Sequence, residues 1–174
     1  MSDTDALNVV LLVLRVATGV MLFAHGWVHL KRVRSGPGVA NWFGSLGMRQ
    51  PVLNAWMVTL VELVGGVMLV LGLLTPISAA SVTGVAVVAW ITNHWKAGFF
   101  VYNRPAEGWE YVMILTALGI ALGTFGAGEW SLDRAFDIEW ETATNFWVTL
   151  VAGVGGALLQ LLVFWRPPRA EPTG

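Results

Sequence analysis

The sequence predicts an all-α integral membrane protein with five transmembrane helices in one bundle. Three observations lead there. The 174 residues are 56% hydrophobic and only 12% charged, where a soluble domain carries about 25% charged residues. Five apolar runs follow one another, each close to the roughly 20 residues that cross about 30 Å of hydrocarbon. Basic residues gather in alternate connections, as the positive-inside rule describes for a polytopic chain. Ten Trp and twenty Gly fit the same class, because Trp anchors at interfaces and Gly is common in membrane helices.

The runs cover residues 7–30, 52–74, 77–95, 109–125 and 146–165, so that residues 1–174 form a single membrane domain. Helix is the structure that satisfies the backbone in hydrocarbon, since such runs cannot build a closed barrel. The chain opens Met1-Ser2-Asp3-Thr4-Asp5. That start is acidic where a secretory signal is basic, so the first run is expected to be retained. After it, Gly36-Pro37-Gly38 reads as a turn and Val39-Ala40-Asn41-Trp42-Phe43 as a short interfacial helix. Thr75-Pro76 joins the second and third runs as a tight hairpin, which makes them antiparallel neighbours. The fourth run is the shortest and sits near the lower limit for a span. Its Gly119 and Gly123, and Ala152 and Gly156 of the fifth run, form small-xxx-small pairs. Both predict close helix contact, within the chain or with a copy of it. Trp42, Trp95, Trp109, Trp130, Trp140 and Trp165 fall near the predicted boundaries, as plain anchors of an aromatic belt.

Charge sets the expected orientation. Lys31, Arg32, Arg34 and Arg49 follow the first run, Lys96 and Arg104 the third, Arg166 and Arg169 the fifth. The N-terminal tail and the segment 129–141 hold Arg134 against Asp3, Asp5, Glu129, Asp133, Asp137, Glu139 and Glu141. This places the N-terminus outside and the C-terminus in the cytoplasm. No connection is long enough for a separate domain, and no basic patch suggests nucleic acid. With no cysteine, disulfides, thiolate metal sites, iron–sulfur clusters and thiol–disulfide exchange are excluded.

An ionisable group at a helix centre costs roughly 2.5–3.5 kcal/mol on insertion scales. The polar residues within the runs are Arg15, His25, His29, Glu62, Asn93, His94 and Glu110. Arg15 lies about 12 Å, and Glu62 about 18 Å, from the outer ends of their runs at 1.5 Å per residue. A mid-membrane Arg15–Glu62 ion pair is therefore expected, with Gly65 and Gly66 allowing close approach. His25 and His94 each lie about 26 Å from the outer ends, and so share a level. Glu110 opens its helix from the same side, and His29 follows His25 on one face. Such a cluster could ligate haem iron through two His, or hold a metal, although no tight ligand motif is present. A quinone asks for less: an apolar slot, a hydrogen-bond donor and a protonatable group. His25, His29, His94 and Glu110 are the candidate quinone-contacting residues, with Trp27, Trp90 and Phe99 as ring neighbours. The competing reading is interfacial His residues that merely snorkel and hold helices together.

Several segments resemble one family. They are Leu14-Arg15-Val16-Ala17-Thr18-Gly19, His25-Gly26-Trp27, Val61-Glu62-Leu63-Val64-Gly65-Gly66, Leu71-Gly72-Leu73-Leu74-Thr75, His94, Gly98-Phe99-Phe100, Glu110-Tyr111 and Ser131-Leu132-Asp133. In order and depth they are similar to the DoxX family of small membrane proteins over residues 7–134. The resemblance implies a four-helix core in a bacterial or archaeal plasma membrane. Some relatives are subunits of a thiosulfate:quinone oxidoreductase, and others associate with oxidative-stress or sulfur-handling complexes. The chain departs from the family pattern at His29, where the pattern has Lys, and in its fifth helix. That helix is expected to dock a partner subunit or a second copy. The functional expectation is a quinone-linked redox protein or the membrane subunit of an oxidoreductase complex. The alternative is a non-catalytic adaptor that anchors a larger membrane complex. Transport is disfavoured because Pro51, Pro76, Pro105 and Pro167 lie at or beyond helix ends, leaving no broken helix.

Overall fold

The computed structural model describes residues 2–102 and 106–168. Arg104, Pro105 and Arg169 lie outside the described residues. The helices are α1 (Asp3–Ser35), α2 (Gly38–Ser45), α3 (Pro51–Leu71), α4 (Thr75–Ala89), α5 (Glu110–Phe125), α6 (Leu132–Ala135), α7 (Thr142–Leu150) and α8 (Gly156–Phe164). A π-helical turn, Trp90–His94, and a 3-10 turn, Trp95–Ala97, prolong α4. A second π turn, Val151–Gly155, joins α7 and α8 into one rod.

Among the described residues, four helical stretches are long and apolar enough to cross a membrane: Asp3–Ser35, Pro51–Leu71, Thr75–Ala97 and Thr142–Phe164. The fifth predicted span, α5, has 16 residues and reaches only about 24 Å. It still returns the chain from one face to the other, because Leu122 near its end shares a core with Leu11 near the start of α1. The protein is thus an all-α integral membrane protein.

Helix ends outrun apolarity. α1 extends past its apolar run at both ends. The Ser2 hydroxyl accepts from the Asp5 N–H, and the Asp5 carboxylate accepts from the Ser2 N–H, which closes a capping box. Arg32 and Arg34 occupy the last turn, at the negative end of the helix dipole. The short helix expected after the first run is α2. Its Val39, Ala40 and Phe43 are buried with Met48 and Ala55 in a second core cluster.

Small residues set the packing. A Cβ on Gly19 would lie 2.8 Å from the Gly66 carbonyl oxygen, and one on Gly66 would lie 2.8 Å from that of Gly19. α1 and α3 therefore touch backbone to backbone. Gly65 turns instead to α4, where a Cβ would lie 2.6 Å from Ser81. Gly119 is closed against Thr83 of α4, and Gly123 against Thr149 of α7. The contact expected of Ala152 and Gly156 within the chain is made one residue over. Gly153 sits on α4, 2.9 Å from Thr83 by the same measure, whereas a Cβ on Gly156 would meet nothing within 4 Å. α1, α3, α4 and α5 surround Leu11, Leu22, Leu69, Ala79, Val82 and Leu122. The α7–α8 rod packs on α4 and α5 from outside. Its end is stitched to the α2–α3 loop: Arg49 N–H donates to Phe164 O at 2.7 Å, and Arg166 N–H donates to Gly47 O at 2.9 Å. Trp165 takes part, its indole N–H donating to Leu46 O at 2.9 Å. It is an internal tie rather than a plain membrane anchor.

The α3–α4 turn is tight, as Thr75-Pro76 predicts. Gly72 (φ 64°) and Leu74 (φ 45°) both adopt left-handed backbone. Leu74 is held there by Asp133, whose carboxylate accepts from Leu74 N–H at 2.6 Å, Thr75 N–H at 2.9 Å and the Thr75 hydroxyl at 2.7 Å. The segment after α5 thereby caps α4 from outside its own helix.

Candidate functional site

Arg15 and Glu62 have different partners. Arg15 is fully buried. Its Nη2 donates to Trp130 O at 2.8 Å, and its Nη1 donates to Val70 O at 3.3 Å and Leu69 O at 3.4 Å. The cation thus sits on the carbonyl end of α3, where the helix dipole favours it. Glu62 meets His29: Oε2 lies 2.8 Å from Nδ1, and neither atom has another polar partner. The contact is an ion-pair separation rather than an aligned hydrogen bond. The expected Arg15–Glu62 pair is thereby corrected. Antiparallel register explains it, because Gly26 of α1 backs onto Glu62 while Arg15 backs onto Gly72. Those two α3 positions are about 15 Å apart.

His94, buried at 6% exposure, ends the π turn of α4. Its Nδ1 lies 2.8 Å from Glu107 O, and its Nε2 lies 2.6 Å from the Tyr111 hydroxyl and 3.1 Å from Asn93 Nδ2. A carbonyl can only accept, so Nδ1 carries the hydrogen and Nε2 of the neutral ring is an acceptor. Tyr111 therefore donates to His94, and the imidazole is an internal base rather than a free donor. The π turn adds one residue to a helical turn, a distortion frequent at functional sites.

His25, His29, Glu62, His94 and Tyr111 line one cavity of about 600 Å³. Met21, Val58, Val85 and Leu115 are among its apolar walls, and Trp42 and Phe43 of α2 close it on the loop side. Ala152 and Gly156 face it too, which accounts for the open space beside Gly156. His25 stands at the edge, exposed, with Nδ1 on its own helix at Met21 O (2.9 Å). Glu110 is not part of the lining. Its carboxylate accepts from Val101 N–H at 2.9 Å and so braces the loop before α5. Trp27, Trp90 and Phe99 are not lining residues either. Trp27 stacks on Phe23 and lies under Lys31, and Trp109 gathers Trp90, Trp95 and Phe99 into an aromatic cluster. Among the described residues no group of three or more His, Asp or Glu is placed to hold a metal ion.

Sequence reasoning missed Tyr111 and the pairing of Glu62 with His29. Tyr111 follows Glu110 directly, and with only two Tyr in the chain a phenol at the mouth of an apolar helix was a legible signal. The depth of Glu62 was legible as well, though its partner was not.

Comparison with known proteins identifies a family. The model of the DoxX family matches residues 10–95. A Bacillus subtilis (strain 168) protein named "Putative oxidoreductase CatD" is 35% identical over 111 residues, which is 64% of this chain and 76% of that protein. The chain belongs to the DoxX family. The matched residues 10–95 hold Arg15, His25, His29, Glu62 and His94. Tyr111, Asp133 and the α7–α8 rod lie beyond them. No solved structure matches the chain.

Proposed function

We propose that this DoxX-family membrane protein is quinone-linked, acting in the plasma membrane as a redox protein or as the membrane subunit of an oxidoreductase complex. The observation that carries the reading is the cavity. At about 600 Å³ it falls within the 300–1,000 Å³ usual for small-molecule sites. Its walls are mostly apolar, and among the polar groups that line it two pairs stand out, His29–Glu62 on α1 and α3 and His94–Tyr111 on α4 and α5. A quinone headgroup has two carbonyl oxygens at opposite ends, and two separated polar clusters suit that shape, the Tyr111 hydroxyl hydrogen turning from His94 to the ligand when one is bound. A bound quinone accepts two electrons and two protons. This chain's residues would orient the ring and hold protons at Glu62 and Tyr111, and the electron donor would be a partner protein. The name of the Bacillus subtilis relative supports the oxidoreductase class.

Equilibrium dialysis of a short-tailed naphthoquinone against the protein in nanodiscs tests this. Wild type should bind, and Glu62→Gln and Tyr111→Phe should each lose about tenfold, the scale of one hydrogen bond to a ligand (about 1.4 kcal/mol). Glu110→Gln should bind as wild type, since its carboxylate faces the loop. Absence of binding by wild type would sink the proposal and favour the non-catalytic adaptor.

A further inference from the structure

A second cavity, of about 610 Å³, opens at the elbow between α1 and α2. His29, Arg32, Ser35, Pro37 and Trp42 line it, and Arg32, Ser35 and Pro37 are exposed. Two residues belong to both cavities, His29 and Trp42. Trp42 cannot carry a proton in this way, since its indole nitrogen is only a donor. His29 can, and its side chain is 20% exposed where that of its partner Glu62 is 4% exposed. The pair thus runs from a partly wet imidazole to a carboxyl inside the apolar cavity.

We propose that His29 and Glu62 form a proton relay between the loop-side cleft and the membrane cavity. The chemistry follows from the atoms. Nδ1 of His29 faces Glu62 Oε2 at 2.8 Å, and a rotation of the ring aligns them. The Nδ1 proton passes to Oε2 as a proton from the cleft binds the other ring nitrogen, so the ring ends neutral with its hydrogen moved and Glu62 ends as the acid. Loss of that proton to an acceptor in the cavity, followed by ring tautomerisation, resets the pair. The pair carries one net negative charge, on Glu62, before the proton arrives and none after it, so proton uptake relieves a buried charge that hydrocarbon penalises. Other titratable groups facing the pair are His25 and Arg32 on α1, and His94 and Tyr111 across the cavity from α4 and α5. α2 contributes none. The use of the relay in quinone chemistry rests on the proposed function, but its existence does not.

Infrared spectroscopy of the protein in nanodiscs tests it without any quinone. The protonated-carboxyl stretch of Glu62 is identified by its loss in Glu62→Gln, and its shift on transfer to D2O reports proton exchange. Wild type should exchange fast. His29→Leu and His29→Gln should both slow exchange by about a hundredfold, the scale of losing one positioned proton-transfer group. Glu110→Gln should leave the rate unchanged. Should the His29 variants fail to fold, Ser35→Cys labelled with a bulky maleimide after folding blocks the cleft instead, and should slow exchange likewise. The relay is overturned if Glu62 shows no protonated form at any pH, or if exchange in the altered proteins keeps the wild-type rate. Slowed exchange together with no quinone binding would leave the relay standing and remove the quinone.

Discussion

Glu62 keeps a carboxyl group almost out of reach of water, and among the described residues His29 answers it. Removing one member leaves the other buried without a partner, and removing both avoids that penalty. The double variant His29→Leu with Glu62→Gln should therefore be less destabilised than the sum of the singles, by about 0.5–3 kcal/mol. Arg15→Met with Glu62→Gln should instead be additive within about 0.5 kcal/mol, because the two sites share no partner. Unfolding in mixed micelles, run for both cycles, separates the pairings. The polar inventory of α1 and α3 was legible in the sequence, since every ionisable group in an apolar run needs a reason. The pairing was not. Counting depth from the ends of apolar runs placed Arg15 and Glu62 about 6 Å apart, where the structure separates their levels on α3 by about 15 Å. The register is set by Gly19 against Gly66, which polarity does not report.

At the scale of elements, glycines divide into those that admit a neighbour and those that border empty space. Gly66→Ala should cost about 1–3 kcal/mol, since its Cβ would press on the backbone of α1. Gly156→Ala should stay within about 0.5 kcal/mol or stabilise, because nothing stands within 4 Å and helix propensity improves. Detergent-induced unfolding of the two variants checks the contrast. The small-residue stripes themselves were legible, but the face of α7–α8 that packs was not. The π turn Val151–Gly155 shifts the register there, and no periodicity rule anticipates a single added residue. The same holds for His94, which another π turn delivers to Tyr111. The α3–α4 hairpin was legible from Thr75-Pro76, whereas its outside cap was not, because Asp133 is 58 residues from Thr75. Asp133→Ala orphans buried donors at that turn and should destabilise by about 1–3 kcal/mol, measured in the same way.

On the scale of the whole molecule, the two faces differ in what they gather. On one, α2, the Gly47–Arg49 loop and the end of α8 are tied together by Arg49 to Phe164 and Arg166 to Gly47. That face carries Lys31, Arg32, Arg34, Arg49 and Arg166. On the other, Asn8 near the start of α1 exchanges hydrogen bonds with Glu129 (Asn8 Nδ2 to Glu129 Oε2 at 3.2 Å, Glu129 N–H to Asn8 Oδ1 at 3.0 Å). Arg134 is the base there, paired with Glu139 at 3.3 Å. Retention of basic loops on the cytoplasmic side is what orients such chains. The α2 face, with its elbow cleft, is therefore expected in the cytoplasm, and the α6 face outside. The sequence has no cysteine, so single substitutions report cleanly. Ser2→Cys and Phe136→Cys, both at exposed positions on the α6 face, should react with an impermeant maleimide in intact cells. Ser35→Cys should react only after the membrane is opened. The reverse pattern would put the elbow cleft outside, and a relay through His29 would then draw its protons from the external medium.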